Sequence, residues 1–278
     1  MTVSVLILTL DEEVNIEGCL AAVRWSDDVV VLDSGSTDGT ASLVARAGAR
    51  LVLREFDNYA GQRNFGLRHI PWRHPWVLML DADERVPDDL AREITAGVSG
   101  AHEEVCLMRM RRKDFLFGTW IRGSGGYPTW FPRLARHERV WVERPINEEY
   151  KTNGQVIALQ GHLYHYPFNK GIAAWIAKHN RYSTLEAELH FAGGAAAGRT
   201  RLAELFAGDP LARRRALKSV VYRMPFRPFI VFLAGYVLKG GFLEGRAGLT
   251  FSLLRSWYEH LINLKIAELR RRSRNLPV

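Results

Sequence analysis

An α/β fold, with a mostly parallel sheet flanked by helices and a C-terminal helical extension, is predicted for this 278-residue chain. Three observations predict it. Short β-branched runs alternate with segments of helical apolar spacing in the first hundred residues. The runs are continuously apolar, as in strands covered on both faces. Acidic, Ser- and Gly-rich clusters recur directly after them, where open α/β sheets bind ligands.

The elements follow in order. Residues 3–8 are the first strand, and Ile16, Leu20 and Val23 then recur at helical spacing. Residues 28–32 are the second strand and 40–47 the second helix, with Ser36 or Thr37 as its N-cap and Gly48 as its stop. Residues 50–53 form a third strand, 65–69 belong to a further helix, and 76–80 form a fourth strand. This rhythm predicts a parallel sheet with right-handed crossovers. From Cys106 to Tyr166 aromatics, glycines and arginines crowd together, the texture of short strands and loops walling a cleft. After a small-residue patch at 192–198 the chain reads helical. Phe251, Leu254, Tyr258, Leu261, Ile262, Ile266 and Leu269 make one stripe, and Glu268 stands four residues before Arg272. The expected organisation is an α/β half at 1–105, a cleft-walling second half of the same domain at 106–190, and a basic helical extension at 191–278.

Composition narrows the function classes. An apolar share of 47% and a charged share of 24% describe an ordinary globular chain. Two cysteines, Cys19 and Cys106, make no disulfide framework, and no Cys/His cluster has zinc spacing. The longest apolar stretch, 229–238, is about half of the ~20 residues a membrane span needs. The compartment expected is the cytoplasm, including a peripheral place on the inner face of the cell membrane. Net charge is +8, but residues 192–278 carry 16 Lys/Arg against 5 Asp/Glu, or +11, which leaves −3 for the remainder. A basic tail behind an acidic front half points to an anionic membrane surface as one partner, the other reading being a solvated basic helix. Runs such as 109–113 resemble a solvated face, and no nucleic-acid motif accompanies them.

Three strand ends carry the chemistry. The first is Thr9-Leu10-Asp11-Glu12, the second runs from Asp33 to Gly39, and the fourth is Asp81-Ala82-Asp83-Glu84. No glycine fingerprint for a dinucleotide and no P-loop is present, so a nucleotide here is read by carboxylates. Asp81 is assigned to a ribose and Asp83 to Mg2+ or Mn2+, hard cations that bridge carboxylates and phosphates. The alternative is an acidic turn ahead of the helix at Pro87. His162 and His165 fall on opposite faces of a strand, His165 being either a further metal ligand or a packed polar residue.

These segments, with Gln62-Arg63-Asn64, resemble the family 2 glycosyltransferases of GT-A fold, a Rossmann-like architecture. The chain is most similar to their lipopolysaccharide-core glucosyltransferase branch, through Gly118 to Arg122, Tyr127-Pro128, Arg133-Leu134 and Gly240 to Gly245. The resemblance implies that Thr9, Asp11 and Glu12 line the nucleotide pocket, that Asp33 meets a uracil-type base, and that Arg63 lies near the diphosphate. It implies inverting transfer of a hexose from a UDP-sugar to a lipopolysaccharide-core or lipid-linked saccharide acceptor. Such transfer needs a base for the acceptor proton and positive charge for the departing diphosphate. Glu148 matches the family's base position, with Glu149 as fallback. Arg122 and Arg133 are candidates for an anionic acceptor or leaving group, or for pairing with structural carboxylates. Asp11 stands where the branch usually has Asn, and Asn147-Glu148 where it usually has His-Glu. The competing readings are a nucleotidyltransferase and a non-catalytic sugar-binding scaffold.

Overall fold

The computed structural model describes residues 3–144, 148–192 and 226–278. Asn147, most of the small-residue patch at 192–198 and part of the basic tail lie outside the described residues. The chain divides into two compact units, Met1–Trp120 with Tyr127–Lys170, and Ile121–Gly126 with Gly171–Val278. After residues 121–126, the second unit resumes at Gly171.

The first unit opens with four parallel strands, β1 (Val3–Thr9), β2 (Val29–Asp33), β3 (Arg50–Leu53) and β4 (Trp76–Asp81). Between them run the helices α1 (Glu13–Ala22), α2 (Thr40–Arg46) and α3 (Tyr59–His69). β5 (Glu84–Arg85), α4 (Asp88–Ser99), β6 (Val105–Leu116), β7 (Thr119–Trp120) and β8 (Trp130–Arg136) follow, then β9 (Val140–Glu143), β10 (Glu149–Thr152) and β11 (Gln155–His165). The nine-stranded sheet has the order β3-β2-β1-β4-β8-β6-β11-β5, with β7 paired to β6, and β9 and β10 form a separate hairpin. Its second half is mixed: β8 runs antiparallel to β4 and β6, whereas β11 runs parallel to β6.

Alternation along the strands builds two cores. Val5 and Ile7 face one buried cluster with Ile16, Leu20 and Ile94, while Leu6, Val77 and Met79 face the other with Leu67. Both faces are therefore covered, which explains the unbroken apolar runs. Gly48 ends α2 with a left-handed φ of 71°, as expected. The expected cap at Ser36 or Thr37 is not formed. The helix starts at Thr40 without a side-chain cap, because Ser36 and Thr37 are spent on Asp33 and Asp11. α3 begins at Tyr59, earlier than its apolar residues announce, and Asn58 caps it by accepting from the Gly61 amide at 2.8 Å.

The second unit is helical: α5 (Ile172–Ala192), α6 (Arg227–Leu233), a π-helical turn Ala234–Leu238, a 3-10 turn Gly241–Glu244 and α7 (Gly245–Arg272). Tyr258, Ile262 and Ile266 of the α7 stripe are buried with Ala187 of α5. This part of the stripe packs on a helix, since pairing of α5 with α7 removes its apolar surface from water. Glu268 pairs with Arg272 at 2.6 Å, the predicted i,i+4 contact. Among the described residues no single helix is long and apolar enough to cross a membrane.

Candidate active site

The register of the parallel strands places Thr9 beside Asp33, and Leu8 beside Asp81, so the three acidic clusters share one sheet edge. Asp33 is buried and accepts four hydrogen bonds. The Gly35 and Ser36 amides donate at 3.0 and 2.8 Å, and the Thr9 and Ser36 hydroxyls at 2.8 and 2.5 Å. Those four bonds occupy the acceptor sites of a carboxylate, so Asp33 shapes the loop that follows β2. Asp11 has a φ of 53° and accepts from the Thr37 amide at 2.8 Å. An Asp tolerates that left-handed backbone about as an Asn does. Glu12 accepts from Asn15 at 2.8 Å and Lys170 at 3.0 Å. Burial nevertheless raises its pKa above the usual carboxylate range.

Behind this edge lie two buried arginines. Arg63 donates to Asp81 at 2.7 Å and to Glu148 at 3.1 Å. Arg133 donates to the other Asp81 oxygen and to the fully buried Glu84, both at 2.7 Å. Burial opposes the charge on both guanidiniums, but Tyr150, Asp81 and Glu148 outweigh it at Arg63, as Asp81 and Glu84 do at Arg133, and both pKa values rise. Arg133, read from the sequence as either a ligand-binding or a structural cation, is bound to site carboxylates. Arg122 belongs to the second unit.

Glu148 enters just before β10. Side chains two apart on a strand share a face, and Glu148 and Tyr150 turn toward Arg63 and Arg133, whose charges act on Tyr150. Glu149 takes the opposite face, half-exposed and paired with Lys151 at 2.7 Å. Alternation thus separates the two glutamates. Tyr150 was not singled out among the sequence candidates, although the same period-two rule names it once Glu148 is chosen.

Asp83 lies on the turn between β4 and β5. β5 pairs antiparallel with the end of β11, His165 opposite Glu84, and this brings His165 Nε2 within 3.2 Å of Asp83 Oδ2. His165 Nδ1 is 2.6 Å from Asp114 Oδ1. Burial and Arg112 act against a proton on His165, but Asp83 and Asp114 prevail and push its pKa up to about 9. His162 contacts the Tyr127 hydroxyl instead, at 2.8 Å. A divalent cation would find one carboxylate oxygen and one imidazole nitrogen, with a second carboxylate holding the ring, and that donor set fits it. Among the described residues no group of three or more such side chains is placed to cage an ion alone. Asp114 escaped sequence reading because only the β6–β11 register reveals its place. A separate cavity of about 820 Å3 opens at the amino ends of the strands, between α1 and α2, away from all these groups.

The mixed nine-stranded sheet flanked by helices, with carboxylates at the C-terminal edge of its 3-2-1-4 parallel half, has the GT-A fold. Residues 4–158 match the family model described as glycosyl transferase family 2, and the chain belongs to that family. It is 29% identical over 270 residues to the lipopolysaccharide core biosynthesis glycosyltransferase LpsC of Rhizobium meliloti, covering 91% of this chain and 90% of that one. An uncharacterized glycosyltransferase of Rickettsia typhi is 24% identical over 286 residues, covering 99% and 89%. Among solved structures, glucosyl-3-phosphoglycerate synthase from Mycobacterium tuberculosis, in complex with Mn2+, UDP and glucosyl-3-phosphoglycerate, matches at 25% identity and a TM-score of 0.35. That match covers 40% of this chain and 44% of the other.

Proposed function

We propose that the chain transfers a hexose from a UDP-sugar, with inversion, to a lipopolysaccharide-core or lipid-linked saccharide acceptor. The observation that carries this reading is the Asp81–Arg63–Glu148 bridge. It joins the donor-side carboxylate to the base through one buried guanidinium, with ion pairs of 2.7 and 3.1 Å. Glu148 takes the proton of the acceptor hydroxyl as its oxygen attacks the anomeric carbon. The bond from that carbon to the diphosphate breaks on the opposite face, and UDP leaves with the bonding pair. Asp81 faces the ribose, and Thr9, Asp11, Glu12 and the loop shaped by Asp33 enclose the nucleotide. Asp83 and His165 would hold Mg2+ or Mn2+, which when bound supplies charge neutralisation at the diphosphate.

Location follows from a surface in the second unit. Phe226, Phe229, Val237, Leu238, Phe242 and Leu243 are exposed on the bent path from α6 to α7, beside the exposed Lys239 and Arg246. Apolar side chains flanked by cations suit the interface of an anionic bilayer, and we place the enzyme on the cytoplasmic face of the membrane. The functional test is a panel of UDP-, GDP- and dTDP-sugars with Mn2+, assayed against a lipopolysaccharide-core acceptor. Transfer from a UDP-hexose is expected, and Glu148→Gln should lower kcat by about 10²–10⁴-fold while leaving UDP affinity in place. Binding of UDP without any transfer would favour the scaffold reading.

A further inference from the structure

Three buried donors around the base lack an acceptor. Among the described residues the Tyr150 hydroxyl, Arg63 Nη1 and Arg133 Nε are shielded from solvent and have no hydrogen-bond partner. Buried polar groups are nearly always satisfied, so three orphans in one neighbourhood call for an explanation. They belong to one neighbourhood because Arg63 and Arg133 both bind Asp81 at 2.7 Å, and Arg63 also binds Glu148, two residues before Tyr150, at 3.1 Å. The place of Tyr150 is also fixed from outside the cluster. Tyr150 pairs with Val142 in the β9–β10 hairpin, and Asn64, the residue after Arg63, holds the Val142 amide and carbonyl at 2.8 Å each. The hairpin is thereby pinned to α3 at the residue that positions the first arginine. Glu148 and Asp81, with side chains 23% and 36% exposed, are the solvent-facing members, while the arginines, at 3% and 5%, lie behind them.

Arg63 Nη1 and Arg133 Nε can only donate and belong to fixed cations, and the Tyr150 hydroxyl can donate beside them, a set that suits an anionic oxygen group. We propose that Tyr150, Arg63 and Arg133 form a three-donor site for a phosphate-type oxyanion beside Glu148. This rests on the transferase reading above and adds Tyr150 as a residue that touches the ligand. Two sources share the chemistry, the diphosphate of the donor and a phosphate carried by the acceptor.

Tyr150→Phe is the informative variant, because it deletes an oxygen that bonds nothing in the free chain. Its melting temperature should be no lower than that of the wild type, whereas ligand handling should weaken by about tenfold, the loss of one hydrogen bond to a charged group. Calorimetric titrations with UDP and with inorganic pyrophosphate, both metal-free, are compared with the KM for phosphorylated and dephosphorylated acceptor. Weaker UDP and pyrophosphate binding assigns the site to the donor, and a raised KM for the phosphorylated acceptor alone assigns it to the acceptor. A Tyr150→Phe protein that melts several degrees lower, or that matches the wild type in every binding and kinetic measure, overturns the proposal. Wild-type transfer, measured in the same assays, reports separately on the transferase reading.

Discussion

Asp81 and Asp83 stand two residues apart and do different work. Asp81 is tied by both oxygens to buried arginines, and Asp83 meets His165. The His165 pair has a pH signature. Its folded pKa of about 9 lies above the ordinary value near 6.5, so the stabilisation is full below pH 6.5 and is lost as pH rises through 9. A cation must displace the same proton, so Mn2+ affinity should rise between pH 7 and pH 8.5, which calorimetry at the two pH values reads directly. Asp114→Asn should weaken Mn2+ binding about 10–100-fold by releasing the imidazole that Asp114 holds. Unchanged affinity would remove His165 from the metal shell. Glu149→Gln, by contrast, should leave kcat within a factor of about two, since its side chain pairs with Lys151 on the far face.

The Gln62-Arg63-Asn64 segment gains its meaning on α3. Successive residues of a helix are turned by about 100°, so the three side chains reach three places. Gln62 bonds Ser34 at 2.8 Å in the loop after β2, Arg63 reaches Asp81, and Asn64 brackets Val142. Asn64→Ala should destabilise the first unit by about 1–3 kcal/mol, measured by urea unfolding, because the Val142 amide loses its partner. Lower activity without that loss would mean the hairpin is anchored elsewhere. In the second unit His179 stacks on Trp175 at 3.5 Å and meets the edge of Tyr258 on α7. Burial lowers its pKa to about 4. Stability is then full above pH 6.5 and falls as pH drops toward 4, a slope that His179→Phe should flatten in thermal melts. The parallel strands were legible in the sequence because both of their faces are apolar, and so were the acidic ends, because turns after buried strands expose their chemistry. β6 and β11 were not: their pairing spans some fifty residues of chain, and its register shifts between Ala158 and His162. The Asp114–His165 contact depended on that pairing and stayed hidden with it.

At the scale of the whole chain, charge and apolar surface are unevenly shared. The +11 balance of residues 192–278 falls in the same stretch as the exposed Phe and Leu side chains. Phe229→Ser with Leu243→Ser should lower binding to phosphatidylglycerol vesicles by at least about tenfold in a sedimentation assay, and added salt should weaken what remains. Binding that survives both changes would assign the surface to another partner. The chain leaves its first unit at Trp120, spends six residues in the second, and returns at Tyr127. Those six are held there by Glu244, whose carboxylate accepts from the Gly123 and Ser124 amides and the Ser124 hydroxyl. A Cβ on Gly123 would fall 2.0 Å from the Lys239 carbonyl oxygen, so the seat admits glycine alone. Two stretches more than a hundred residues apart therefore form one structural part. Recombination that exchanges everything after Lys170 between relatives would separate lock from key. A working chimera must carry residues 121–126 across together with the tail, and selection on either stretch is selection on both.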